Sequence, residues 1–167
     1  MQVQQESQLS DTSPTILVVD DEVPITNLCK ALLEASGFTV LEADGSSEAL
    51  KICMQHRGPI DLLLADLVLP PPGFQLASTA NQFPHLNGHD LAVRASTIRS
   101  GLRIILMSGN PDKELESHGI KRGTFPFLAK PFDRHDLLAI VHHVLAQLAT
   151  TLAVEKPRHV NGTEWFG

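Results

Sequence analysis

Polar side chains from four separate segments of the chain could meet at one edge of a predicted sheet. Asp20 and Asp21 follow the first apolar run, and Asp66 follows the third. Ser108 directly follows the fourth run, and Lys130 comes shortly after the fifth. In an open α/β sheet, ligands bind beyond the carboxyl ends of the parallel strands. We therefore expect these side chains to line one crevice.

This group of residue types predicts a particular chemistry. Three carboxylates that lie close together repel one another, so they need a compensating cation or protonation. Mg²⁺, with Mn²⁺ as a substitute, fits Asp20, Asp21 and Asp66 because it prefers oxygen ligands, whereas zinc would call for His or Cys. The carboxylate of Asp66 could then attack a phosphoryl group and form an aspartyl-phosphate. Lys130 would neutralise charge on the transferred group, and Ser108 would donate a hydrogen bond to its oxygens.

The elements that would position these residues alternate between short apolar runs and longer segments of helical character. This alternation predicts an α/β domain built from βα units around a parallel sheet. We expect strands at residues 15–20, 38–42, 60–65, 103–107 and 125–128. We expect helices at 23–36, from Ser46 to near 58, at 88–100, weakly between 112 and 123, and after a cap at Asp133.

Composition and charge exclude several classes of protein. A chain of 167 residues with a net charge of -6 fits a single folded domain and argues against direct nucleic-acid binding, which needs clustered Lys and Arg. Cys29 and Cys53 are too sparse for a disulfide framework or a metal site and are expected to be buried. The polar first residues do not resemble a signal peptide, and no apolar run approaches the roughly 20 residues that span a bilayer. We expect a cytoplasmic protein without membrane contact.

Four short segments combine the chemical residues with the predicted strand ends. They are ILVVDDE, LLLADLVLP, ILMSGN and FLAKPF. Together they resemble the receiver domain of two-component signalling proteins, and the resemblance covers residues 14–149. The stretch after Ser108 is most similar to receivers attached to hybrid histidine kinases.

The resemblance implies a fold and a metal site. The fold would be a flavodoxin-like, doubly wound sheet of five parallel strands in the order 2-1-3-4-5, flanked by helices. Asp66 would be the phosphoacceptor, and Asp20 and Asp21 would be the acidic metal-binding pair. The backbone carbonyl of Val68 would be a further ligand to the metal.

The resemblance also implies a switch. Ser108 would be the switch hydroxyl, Lys130 the phosphate-binding lysine, and Pro131 would follow a cis peptide bond. Phe127 would be the switch aromatic, although an aromatic residue in a short strand is equally well explained as part of the core. Phosphorylation would then remodel the surface formed by the fourth helix, the fifth strand and the fifth helix.

The function that follows is that of a phosphorelay receiver. A histidine kinase or histidine phosphotransfer protein would donate the phosphoryl group to Asp66, and the switched surface would bind an unknown output partner. Homodimerisation stays open, and the chain would promote only its own phosphorylation and dephosphorylation rather than act as an enzyme on other molecules. Apolar Val68 cannot orient water, so we expect slow self-dephosphorylation.

Two other functions remain alternatives to the receiver. A Mg²⁺-dependent phosphatase of haloacid dehalogenase type would need its nucleophile and general acid two residues apart after the first strand. Asp20 and Glu22 only approximate that pattern, and Asp66 would have no role. The second alternative is a receiver-like scaffold that no longer switches.

The segments outside the repeated units suggest a simple domain organisation. We expect a flexible N-terminal tail at 1–13, a receiver domain at 14–149, and a C-terminal tail or linker at 150–167. The loop after the third strand is longer than receivers usually have, because Gly88 lies 18 positions after Pro70. We therefore expect an inserted loop at 71–86, which could shield the phosphoryl group, contact a partner or extend into solvent.

Overall fold

The computed structural model describes residues 13–69, 87–117, 119–121 and 123–147, which contain five strands and five helices in alternation. The strands are β1 (Thr15–Val19), β2 (Thr39–Ala43), β3 (Leu62–Asp66), β4 (Arg103–Ser108) and β5 (Phe127–Ala129). The helices are α1 (Val23–Ala35), α2 (Ser46–Gln55), α3 (Gly88–Ile98), α4 (Pro111–Ser117) and α5 (Arg134–Ala146). The predictions for the tails and for the loop at 71–86 fall mainly on residues outside these ranges.

The five strands form one parallel sheet in the order β2-β1-β3-β4-β5. This order confirms the predicted fold. The register pairs Asp66 with Met107, and Ser108 with Ala129, so the carboxyl ends of β3, β4 and β5 lie at the same edge. The functional side chains are therefore brought together by strand pairing between segments distant in sequence.

Helices cover both faces of the sheet, which explains why its central strands are aliphatic throughout. Along β1, Ile16 and Val18 pack on the face covered by α1 and α5, whereas Leu17 and Val19 pack on the opposite face. Side chains from α2, α3 and α4 cover that second face. Successive side chains of a strand point to opposite faces, so a strand buried on both faces needs apolar residues at consecutive positions.

Polar contacts fix the ends of the helices next to the sheet. Arg99, directly after α3, donates from Nε to the carbonyl of Cys53 at 2.8 Å. Its two terminal nitrogens donate to the carbonyls of His56 and Gly58, each at 2.5 Å. This clamp ties the end of α2 to the end of α3. At the start of α5, Asp133 and Asp136 form a capping box, which confirms the predicted cap.

The predicted starts of three strands were wrong by one or two residues, and the predicted ends of all five were wrong by one residue. Residues 60 and 125 were expected to begin β3 and β5, yet those strands begin at Leu62 and Phe127, and β2 begins at Thr39 rather than Phe38. Ile60, Phe125 and Phe38 are nevertheless buried. Apolar side chains just outside a strand can complete the core without joining its hydrogen-bonded ladder, so burial alone does not mark where a strand starts.

Two further expectations concern the cysteines and the membrane. Cys29 and Cys53 are both free and buried, as expected. None of the helices in the described part of the chain has both the length and the apolar character that crossing a bilayer requires.

Candidate functional site

The acidic cluster lies where β1 and β3 end. Oxygens of Asp20, Asp21 and Asp66 all lie within 4.8 Å of one another. Asp20 and Asp66 are 1% and 7% exposed, whereas Asp21 is exposed. The Asp20 N–H donates to the carbonyl of Ala43 at 3.2 Å, which extends the contact between β1 and β2 by one residue. The sequence prediction that these three carboxylates converge is confirmed.

Lys130 reaches the same cluster from the end of β5. Its Nζ lies 2.7 Å from Oδ2 of Asp20 and 3.1 Å from Oδ2 of Asp66. Its backbone N–H donates to the carbonyl of Ser108 at 2.8 Å, and the peptide bond to Pro131 is cis, as expected. The ammonium group therefore bridges the two buried carboxylates.

Burial and mutual repulsion change the protonation of the site. Burial raises the pKa of Asp66 from 3.8 to about 6, and the charge of Asp20 adds to this effect, although Lys130 opposes it. Burial alone would lower the pKa of Lys130, but its hydrogen bond to Asp20 and the charges of Asp66 and Asp20 outweigh burial and raise it. Lys130 therefore stays charged, and neutralisation of the local negative charge would favour the ionised form of Asp66.

Cys29, on α1, is buried near enough to Asp20 to feel its charge. Burial, with a smaller contribution from the charge of Asp20, raises the pKa of Cys29 to about 12. The thiol is therefore neutral near pH 7 and serves as a small packing group.

The residues directly after β3 and the start of α3 pack closely against Asp66. The Val68 N–H donates to Oδ1 of Asp66 at 3.2 Å, and the Val68 side chain is 43% exposed beside it. The Gly88 N–H donates to the carbonyl of Leu67 at 2.9 Å. A Cβ at Gly88 would collide with the carbonyl oxygen of Asp66 and approach the Leu67 Cα to 2.8 Å. Glycine at this position therefore lets the start of α3 pack against the backbone of the acidic residue.

Ser108 lies at the same edge, and its hydroxyl is engaged by Glu114 and by the backbone of Asn110. Ser108 is fully buried, and its Oγ donates a hydrogen bond to the carboxylate of Glu114 on α4. The N–H of Asn110 donates to the same Oγ at 3.2 Å. The sequence pattern did not single out Glu114, and its spacing from Ser108 corresponds to no motif that would have revealed the contact.

Phe127 is half-buried in β5, opposite Leu106, and packs against the core face covered by α2, α3 and α4. A half-buried ring in this strand fits a core role, and it also fits the switch role that the family resemblance implies. The switch role of Phe127 stays a prediction, as does the role of the Val68 carbonyl as a metal ligand.

A known family and several known proteins are similar to this chain. The family model described as the response regulator receiver domain matches residues 16–142. The phosphate regulon transcriptional regulatory protein PhoB of Pseudomonas aeruginosa is 30% identical over 132 residues, which are 78% of this chain and 51% of that protein. This chain therefore spans about half of the length of that regulator.

Solved structures agree with these matches. A response regulator receiver domain protein from Clostridium thermocellum superposes with a TM-score of 0.62 and 29% identity, covering 79% of this chain and 94% of that one. The receiver domain of the hybrid histidine kinase CckA gives a TM-score of 0.59 and 28% identity, covering 78% and 98% of the two chains. The similarity thus extends over nearly all of each solved receiver.

Proposed function

This chain belongs to the response regulator receiver family, and from that premise we propose that Asp66 accepts a phosphoryl group from a phosphohistidine. The donor would be a histidine kinase or a histidine phosphotransfer protein. The observation that carries the proposal is that Asp20, Asp21 and Asp66 converge at the carboxyl edge of the sheet and that Lys130 contacts both Asp20 and Asp66 there. Phosphorylation would change the surface that binds an output partner.

The transfer step follows from the position of Asp66. A carboxylate oxygen of Asp66 attacks the phosphorus atom, and the bond between phosphorus and the donor imidazole nitrogen breaks. The imidazole leaves with its electron pair and takes up a proton. Lys130, already within 3.1 Å of Asp66, stabilises the negative charge on the phosphoryl oxygens during transfer.

Mg²⁺, or Mn²⁺ in its place, fits the donor atoms of this site. Three carboxylates and one ammonium group leave a net negative charge in a largely buried cluster, and all the carboxylate donors are the hard oxygens that Mg²⁺ prefers. Asp20, Asp21, Asp66 and the backbone carbonyl of Val68 would hold the ion. When bound, the ion supplies charge neutralisation for phosphoryl transfer.

We expect the phosphorylated form to lose its phosphate slowly. Val68 follows Asp66 by two residues, and its exposed side chain is apolar and offers no hydrogen bond to position an attacking water molecule. By resemblance to the family, Asn110, after β4, would occupy the second position that tunes the approach of water. A phosphorylated lifetime of only seconds would count against this expectation.

The wider role of the chain follows from the same proposal. It would act in the cytoplasm as a signalling receiver that promotes only its own phosphorylation and dephosphorylation, with no direct contact to nucleic acid or membrane. The receiver domain would span residues 14–149, between an N-terminal tail and a C-terminal tail or linker.

The similar proteins offer no support for the phosphatase alternative. That alternative also leaves Asp66, a buried member of the cluster, without a role. The two functions differ in stoichiometry, because a receiver takes up one phosphoryl group per chain whereas a phosphatase turns over many substrate molecules.

Incubation with acetyl phosphate and Mg²⁺, followed by intact mass measurement, tests the proposal. We expect a single phosphoryl adduct on the wild-type chain, stable in acid and labile in base, and no sustained release of phosphate from a generic phosphate ester. Asp66→Asn should abolish the adduct. Asp44→Asn, which changes an exposed carboxylate after β2 that is outside the cluster, is the matched control and should leave the adduct intact. An adduct on the Asp66→Asn chain would overturn the assignment.

A further inference from the structure

The hydroxyl of Ser108 is held by a carboxylate from the neighbouring helix. Glu114 lies in the first turns of α4, where its N–H donates to the carbonyl of Asn110 at 3.0 Å. The next residue, Leu115, is buried in the core and anchors this turn against the sheet. With Leu115 packed inward, the side chain of Glu114 reaches back to the end of β4 and accepts the hydrogen bond from Ser108.

The backbone of Ser108 has little freedom to move relative to Lys130. Its carbonyl accepts the Lys130 N–H at 2.8 Å, and Ser108 pairs with Ala129 in the sheet. A change of partner by the hydroxyl is therefore a rotation of the Ser108 side chain. A serine hydroxyl carries one hydrogen, so it cannot donate to Glu114 and to a phosphoryl oxygen at the same time.

We propose that Glu114 is a positioning residue that holds the Ser108 hydroxyl in the unphosphorylated protein and competes with the phosphoryl group for it. This inference rests on the proposed function of Asp66. A phosphoryl group adds negative charge at the edge where Ser108 lies, and that charge attracts the hydroxyl hydrogen while repelling the carboxylate of Glu114. Release of Glu114 then alters the first turns of α4, so phosphorylation is communicated to this helix through one hydrogen bond.

The size of the effect follows from the kind of hydrogen bond that is exchanged. A hydrogen bond to a charged acceptor is among the stronger ones in proteins, and water replaces part of it when the acceptor is removed. Removal of Glu114 should therefore favour the phosphorylated state and increase the apparent affinity for a phosphoryl mimic about tenfold. Glu114→Gln keeps an acceptor oxygen without the charge and should give a smaller gain.

Beryllofluoride, which forms a tetrahedral adduct on a carboxylate, is a suitable probe. We would titrate it with saturating Mg²⁺ and follow the bound fluorine resonances by ¹⁹F NMR. Glu114→Ala should reduce the half-saturating concentration about tenfold. Glu116→Ala, which removes an exposed carboxylate two residues further along the same helix, is the matched control and should behave as wild type.

A double-mutant cycle separates positioning through Ser108 from a general effect on α4. In a Ser108→Ala background, Glu114→Ala should no longer change the half-saturating concentration. If Glu114→Ala lowers the half-saturating concentration equally in the Ser108→Ala background, the inference is wrong. It is also wrong if neither Glu114→Ala nor Glu114→Gln lowers that concentration in the wild-type background. Should Glu114→Ala fail to fold by circular dichroism, the Gln variant alone decides the outcome.

The two proposals fail in distinguishable ways. If beryllofluoride does not bind the wild-type chain, or binds equally well after Asp66→Asn, the proposed function itself is wrong. If it binds at Asp66 but Glu114 has no influence, only the role of Glu114 is wrong.

Discussion

Replacement of Asp66 by Asn should stabilise the protein in the absence of divalent cations, even though it removes an ion pair with Lys130. Asp66 is buried next to Asp20, and its ionised form is unfavourable there despite Lys130. Asparagine has nearly the same shape as the protonated carboxyl group and carries no charge. Its side-chain oxygen can still accept the hydrogen bond from the Val68 N–H.

The magnitude and its pH dependence follow from the pKa of Asp66. A rise from 3.8 in the unfolded chain to about 6 in the folded protein corresponds to at most about 3 kcal/mol at pH values above 6. Partial solvent contact of the carboxylate reduces this, so we expect roughly 1 to 2 kcal/mol. Because the folded-state pKa is the higher one, the cost of ionisation is absent below the unfolded pKa. It grows as the pH rises between the two values and is complete above the folded pKa.

Urea unfolding in EDTA at several pH values between 4 and 8 measures this effect. The free energy of unfolding of Asp66→Asn should exceed that of wild type at pH 8, and the difference should shrink towards pH 4. Asp44→Asn provides the control for a general loss of negative charge. An Asp66→Asn protein no more stable than wild type at pH 8, or a gain independent of pH, would refute the reasoning.

Three further predictions concern other parts of the site and its supports. Mg²⁺ at about 100 times its dissociation constant should raise the free energy of unfolding of the wild-type chain by about 2.7 kcal/mol in urea unfolding. Asp20→Asn should remove most of this increase, whereas the control Asp44→Asn should keep it. Gly88→Ala should lower the free energy of unfolding by roughly 1 to 3 kcal/mol because its Cβ would meet the Asp66 carbonyl, and an unchanged urea midpoint would contradict that packing. Arg99→Ala should cost roughly 1 to 3 kcal/mol through loss of three carbonyl contacts, whereas Arg94→Ala, an exposed change on α3, should cost little.

The acidic site could be predicted from the sequence because it depends on a general property of parallel sheets. Asp20, Asp66 and Lys130 each come at or just after the carboxyl end of a strand, and these ends lie at one edge whatever the details of packing. The strand order could not be predicted from the same property, because the alternation of elements does not specify which strands pair. The order came from the resemblance of the motifs, and the parallel pairing of β1 with both β2 and β3 confirms it.

The contact between Ser108 and Glu114 could not have been predicted in this way. It depends on where α4 begins, on the burial of Leu115, and on the direction in which one side chain leaves a short helix. The helical pattern of this segment was weak and was expected only at 112–123, while the helix runs over Pro111–Ser117. Side-chain partners between a strand end and a short helix follow from packing, which residue spacing does not specify.

The most direct test of the central claim is to locate the phosphate on the chain. Reduction of the phosphorylated protein with borohydride converts an acyl-phosphorylated aspartate to homoserine, which peptide mass spectrometry can assign to a single position. We expect homoserine at position 66 after treatment with a phosphodonor and Mg²⁺, and none in an untreated sample. Homoserine at position 20 or 21, or at no aspartate at all, would contradict it.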